Sequence, residues 1–275
     1  MAYTSYIDFV RDNRRFLAFG VLMSFSSSFG QTFFIGVFGP EFRDAFGLSH
    51  SQWGSIYLLG TLASAALLPF AGRLIDHIDL RVYVGVVGAA LAIACLFAAS
   101  AVGPVSLVLA ILALRLSGQG LSSHIAQTAM ARYYDTQRGR ALASTTLGLA
   151  AGEALLPVLA VALIGVVGWR AAYAGAGVAH GLLILPVLLW LLRGHAGRHE
   201  AYLSRQTAGH PGAASRGPSR GWTRAEVLRD ATFYQLLPCI VAQSLVLTAM
   251  FFHHLTVAEA KGWTAAWMTG SYVLY

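Results

Sequence analysis

Residues 71–84 read AGRLIDHIDLRVYV. Arg73, Asp76, His77, Asp79 and Arg81 crowd one short turn between two apolar runs that are nearly free of charge. A chain needs such a turn where it leaves a bilayer and re-enters it, since a charge at the bilayer centre costs roughly 2.5–3.5 kcal/mol on insertion scales. The composition agrees. Of 275 residues, 56% are hydrophobic and only 11% charged, where a soluble domain carries about 25% charged residues. Mean hydropathy is +0.61. These values place the chain in the membrane class.

On either side of the turn, seven apolar runs are long enough to cross roughly 30 Å of hydrocarbon as helices. They lie near 16–38, 52–71, 82–101, 105–129, 141–166, 171–192 and 232–253. No ten-residue alternation points to a barrel, so helices are what satisfies the backbone in lipid. The first run is too long for a signal-peptide core and lacks a small-residue cleavage site, which makes it a retained helix. Basic residues set the orientation. With the N-terminus inside, Arg11, Arg14, Arg15, Arg73, Arg81, Arg132, Arg138, Arg140 and the seven arginines of 193–231 are cytoplasmic, fifteen in all. Only Arg43, Arg170 and Lys261 lie opposite, and Arg115 is inside a helix. The net charge of +7 therefore reads as topology. No basic patch interleaved with aromatics suggests nucleic acid.

Residues 194–222, GHAGRHEAYLSRQTAGHPGAASRGPSRGW, are rich in Gly, Ser, Pro, Arg and His without apolar periodicity, and predict a cytoplasmic linker. An interfacial helix can start after it at Thr223. The expected organisation is a cytoplasmic tail over 1–15, a six-helix bundle over 16–192, the linker over 193–231 and a new helix group over 232–275. After Lys261, GWTAAWMTGSYVLY is too short to span. The simplest reading ends the chain inside an eighth helix, with the rest of a second bundle missing; a seven-helix protein with a short apolar tail is the alternative. Cys95 and Cys239 sit in apolar runs without partners at metal-ligand spacing and read as packing residues. No metal or cofactor is implied.

These features together resemble the major facilitator superfamily, an all-α polytopic fold of two six-helix bundles joined by a long cytoplasmic loop. The turn 71–84 is similar to that family's G-x-L-A-D-R-x-G-R-R loop after the second span. Gly72, Leu74, Asp76 and Arg81 match it, while His77, Asp79 and Leu80 depart from it. RLSGQG at 115–120 is similar to the R-x-x-x-G-x-G element of helix four, with the first glycine one residue early. RYYDTQRGRALASTTLG and then GWRAAY at 168–173 look like the monocarboxylate-porter and oxalate–formate-antiporter branch. Where animal monocarboxylate members carry a lysine in helix one, Phe29-Gly30-Gln31 places a neutral amide. The resemblance implies a multi-pass protein of a cell membrane, a bacterial inner membrane, with a cytoplasmic N-terminus.

Intramembrane ionisable groups are functional candidates by default. Arg115 in helix four and Glu153 in helix five lie at similar depth and are expected to face a central cavity, paired or within one water of each other. They form either a static ion pair that fixes packing, or an anion-attracting cation with a titrating partner. SFSSSFGQTFF over 24–34 gives helix one a polar stripe, within which Gln31 is the strongest candidate because a buried amide wants several partners. His124 and Gln243 are further substrate or coupling candidates. Gly72, Asp76, His77, Asp79 and Arg81 form a candidate cytoplasmic gate, with Asp76 accepting from helix N-terminal amides and Arg81 pairing across the bundle interface.

No H-E-x-x-H, paired aspartates or G-x-S-x-G falls within a span, so no catalytic residue is assigned and an enzyme is not expected. The leading reading is a secondary active transporter of a small organic solute. An organic anion such as a monocarboxylate is favoured, with H+ or another coupling ion and the lipid bilayer as partners. A seven-helix sensor or receptor without transport, and an inactive truncated transporter, are the alternatives.

Overall fold

A computed structural model describes residues 5–134, 136–207 and 223–274. Its regular elements are all helical among these residues. Two units separate: residues up to Arg193 together with those from Phe252 onward, and Gly194–Phe251.

In the first unit, α1 (Tyr6–Ser27) begins ten residues before the expected first span. Ser5 caps it by accepting from the Ile7 amide, and Phe9 and Phe16 are already buried, so two thirds of the expected tail is helix. A 3₁₀ turn at Ser28–Gly30 follows, then α2 (Thr32–Val37) and α3 (Gly39–Phe46). The second span is α4 (His50–Gly72), opened by a capping box between Ser49 and Gln52. The third is α5 (Leu80–Ala99). The fourth joins α6 (Pro104–Leu114), a π-helical segment at Arg115–Ser122 and α7 (Ser123–Tyr133).

The fifth and sixth spans merge in one helical tract, α8 (Arg138–Ala179), continued by a π-helical segment at His180–Ile184 and by α9 (Leu185–Leu191). Gly168 divides the tract. Its φ of 77° and ψ of 162° leave the helical region in a conformation that a side chain strongly disfavours. The next two residues explain the GWR sequence. Trp169 is buried against Phe42, with ring centroids 5.1 Å apart. Arg170 donates 2.8 Å bonds to the carbonyls of Ala99 and Ala101, satisfying acceptors left open where α5 ends. The turn expected between the fifth and sixth runs is thus a glycine break rather than a polar loop.

Parts of the stretch read as a linker are helical. The second unit holds α10 (His195–Thr207), then α11 (Arg224–Arg229), which starts at a Thr223–Glu226 capping box as the sequence suggests. α12 (Ala231–Lys261) follows and is counted with the first unit from Phe252 onward, as are α13 (Ala265–Gly270) and a 3₁₀ turn at Ser271–Leu274. Residues 208–222 of the linker lie outside the described residues.

Aromatic side chains fill both ends of the first unit. At one end, here the Trp53 end, Phe34, Phe38 and Phe42 pack on the fully buried Tyr173. At the other, the Asp76 end, Tyr133 and Tyr134 meet Phe16 and Phe9 edge-on. Between them, backbones approach closely through small residues, as membrane helices do when apolar burial gives no preference for protein over lipid. Gly148-Leu-Ala-Ala-Gly152 of α8 lies on α1: a Cβ at Gly148 would fall 1.9 Å from the Val21 carbonyl oxygen. Gly165, on the same tract, has nothing within 4 Å. Gly148→Ala should therefore destabilise the protein by about 1–3 kcal/mol, the usual overpacking range. Gly165→Ala should not lower stability, and thermal unfolding in detergent compares the two.

Candidate functional site

The Arg115 site is built on an interrupted helix. Gln31 adopts an extended conformation (φ −82°, ψ 156°) between the 3₁₀ turn and α2, and its carbonyl accepts from the amides of Phe34 and Ile35. The break sits directly on the π-helical segment of the fourth span. A Cβ on Gly30 would lie 2.2 Å from the Leu114 oxygen and 2.8 Å from Gly118 Cα. Only glycines permit this crossing. π-Helical segments recur at functional sites because they misalign one turn of the backbone ladder. Here the segment starts at Arg115, and Ser122 Oγ donates to the Ser117 carbonyl at 2.7 Å, tying its turns together.

Arg115 is only 7% exposed. Its Nη1 donates to Thr32 Oγ1 at 3.2 Å and, more weakly, to the Gly30 carbonyl at 3.4 Å. Thr32 Oγ1 in turn lies 2.8 Å from the Tyr57 hydroxyl, and the guanidinium carbon stands 5.4 Å from the Tyr57 ring centroid. No carboxylate joins this group. The expected Arg115–Glu153 pair does not form: among the described residues the ion pairs are Arg43–Glu259 and Asp76–Arg132. Equal depth on neighbouring helices fixes height, not facing. Arg115 turns toward the carbonyl freed by the helix break, while half-buried Glu153 follows Gly152, which packs on Ser28.

The turn 71–84 divides its charges among distinct tasks. Asp79 is the N-cap of α5, its Oδ1 accepting from the amides of Arg81 at 2.9 Å and Val82 at 3.2 Å. That corrects the expectation that Asp76 serves the helix N-terminus; three residues further on, Asp79 has the non-helical backbone a cap requires. Asp76 instead pairs with Arg132 at the end of α7, and Arg132 also donates to the Ile75 carbonyl at 3.3 Å. Arg73 folds back on Pro69, and the Tyr83 hydroxyl reaches the Ala71 carbonyl at 2.8 Å, tying the turn's ends together. His77 and Arg81 are exposed, and Arg81 has no ion pair among the described residues.

Residues 20–275 match the family model described as Major Facilitator Superfamily. The chain belongs to that superfamily. No curated protein matched the sequence. This superfamily chain is thus a multi-pass membrane transporter of all-α fold, which is the fold its sequence implies.

The structure distributes the candidate residues over this superfamily bundle unevenly. Gln31 forms the break beside Arg115, but its side chain makes no capping bond. His124 lies against the turn 71–84 rather than beside Arg115. Its ring lies 3.6 Å from where a Gly72 Cβ would be, and Thr128 Oγ1 is 3.4 Å from its Nδ1. His124, Thr128 and Arg132 recur at four-residue spacing, so one face of α7 docks on the turn. Gln243 is exposed in the second unit.

Sequence reasoning missed Thr32, Tyr57 and the role of Arg132. Trp53, Tyr57, Gly60 and Ser64 are all buried and share one face of α4, a legible signal. Since Asp79 caps α5, Asp79→Ala should lower stability by about 1 kcal/mol and Asp79→Ser should recover most of it. Thermal unfolding of the two variants is the check.

Proposed function

We propose that the chain is a secondary active transporter of a small organic anion, a monocarboxylate being the favoured class, working by alternating access. The observation that carries this reading is Arg115: a buried guanidinium without an acidic partner among the described residues. A buried cation is costly unless paired, and a bound carboxylate supplies the pairing that the protein leaves out. Gln31 marks the helix break that leads into Thr32, the hydroxyl to which Arg115 donates, and interrupted helices are where such transporters bind solute. Glu153, with no ion pair among the described residues, is the group proposed to exchange a coupling proton. The turn 71–84 with His124 and Arg132 forms the cytoplasmic gate, in a bundle over 16–192 followed by a linker over 193–231 and the start of a second bundle over 232–275. The N-terminus is cytoplasmic in this reading, and the membrane a bacterial inner membrane.

Uptake of labelled carboxylates, sugars and amines into vesicles, at several proton gradients, tests the proposal. A carboxylate should be taken up by the parent and abolished as a substrate by Arg115→Gln. Uptake of only a sugar or amine would refute the anion reading. Because Arg115 and Glu153 act separately, exchanging the two residues should abolish transport instead of preserving it. Asp76→Asn should reduce transport with little loss of expression, whereas an equal loss of both would mean damage to folding.

A further inference from the structure

We infer that Tyr57 is a positioning residue that ties the Arg115 site to closure of the Trp53 end. The inference rests on the alternating-access reading above, but not on the identity of the solute.

Tyr57 meets three separate elements. Through its hydroxyl it reaches Thr32, the first residue after the break in helix one, at 2.8 Å. Arg115 of the fourth span donates to the same Thr32 oxygen and lies 5.4 Å from the tyrosine ring. The ring also packs on Phe252 of α12, with centroids 4.8 Å apart. Phe252 in turn stacks on Trp53, at 5.7 Å and 14° between planes, one turn of α4 away from Tyr57. Trp53 packs closely against Gly39, where a Cβ would fall 2.9 Å from its indole nitrogen. A continuous line of contacts thus runs from the buried cation to the aromatic stack.

The link is between buried hydroxyls, Thr32 being 5% and Tyr57 6% exposed. In that setting a lost bond leaves an unsatisfied polar group, so the pair has a definite geometry to lose. α4 cannot shift against the helix break without parting Thr32 from Tyr57. Phe252 cannot leave without uncovering the Tyr57 ring. An anion that draws Nη1 of Arg115 away from Thr32 changes what anchors Tyr57, and so changes how firmly Phe252 is held. A solute can bias a conformational equilibrium only through such a difference in contacts. Tyr57 need not touch the solute to do this.

Labelling of a thiol at position 256 reads the closure. Thr256 lines a narrow crevice with Gly36, Trp53 and Phe252. Thr256→Cys is placed in a Cys239→Ser background, which leaves buried Cys95 as the remaining native thiol. With the chain in lipid nanodiscs, both faces are open to a water-soluble maleimide. Phe252→Leu should speed labelling directly. Thr32→Val keeps the side-chain shape, deletes the hydroxyl and alters neither Trp53 nor Phe252. It should raise the labelling rate roughly five-fold, the equivalent of one net hydrogen bond. Tyr57→Phe should do the same, the double variant no more than either alone, and Thr32→Ser should restore the parent rate. Tyr57→Phe preserves the ring and keeps the test readable if Thr32→Val does not fold. An unchanged rate in the folded variants, or additive effects in the double variant, would overturn the inference. Uptake measured on the same variants separates the two failures: flat labelling with intact uptake defeats the coupling alone, and a parent that moves no solute defeats the alternating-access reading.

Discussion

The crossing of Gly30 over Gly118 is the contact on which the candidate site depends. Two backbones meet there with no side chain between them, which brings the broken end of helix one against a π-helical turn of the fourth span. A membrane interior offers no water to satisfy the groups that such breaks expose. The structure satisfies them locally: Gln31 starts a new helix with its own carbonyl, Ser122 ties the π-helical segment, and Arg115 reaches the Gly30 oxygen. A cation thereby takes a place that is fixed by backbone geometry, not by an opposing charge. Larger residues at either glycine would separate the helices and leave the same polar groups without partners.

The turn at 71–84 obeys a different constraint. Its carboxylates are solvent-accessible, with the Asp76 side chain 56% exposed even in its pair with Arg132. An ion pair in that setting contributes about 0–1 kcal/mol. The pair is therefore a poor explanation of why the fold holds together. Its geometry is defined, but little must be overcome to break it. Asp79, which satisfies α5 amides and cannot be spared without exposing them, does the structural work three residues later.

Much of this was legible in the sequence, and the rest failed for identifiable reasons. Apolar runs of membrane length located the spans, because lipid forces helices and leaves only their ends polar. The boundaries suffered where caps outweighed hydropathy: Ser5 starts α1 ahead of the apolar run, and Gly168 divides a tract that has no polar loop. Arg115 and the charged turn stood out as expensive residues. Their partners did not. Depth along two helices suggested Glu153 for Arg115, yet side-chain direction follows from how helix one breaks, and no periodicity announces a break inside an apolar run. Asp76 and Asp79 are chemically equivalent in a string of letters; only backbone conformation separates the cap from the ion pair. Tyr57 was hidden because one hydroxyl on an oily helix looks like packing until Thr32 is placed opposite it.

The two ends of the first unit are held by unlike forces, and that difference bears on how such a bundle can work. At the Trp53 end, Phe252 lies on Trp53 and Tyr57 in contacts that depend on area and shape. At the Asp76 end, a charged pair and backbone bonds depend on direction and are open to solvent and salt. Apolar stacking tolerates sliding but not separation; a directed pair tolerates little sliding but breaks at small cost. The bundle is thus held by two unequal clasps, one undone by loss of apolar area and the other by loss of direction or by added salt. The buried guanidinium lies in contact with the aromatic clasp through Tyr57, whereas the turn is reached along the same span through His124 and Arg132. The fourth span is therefore the element that both clasps share.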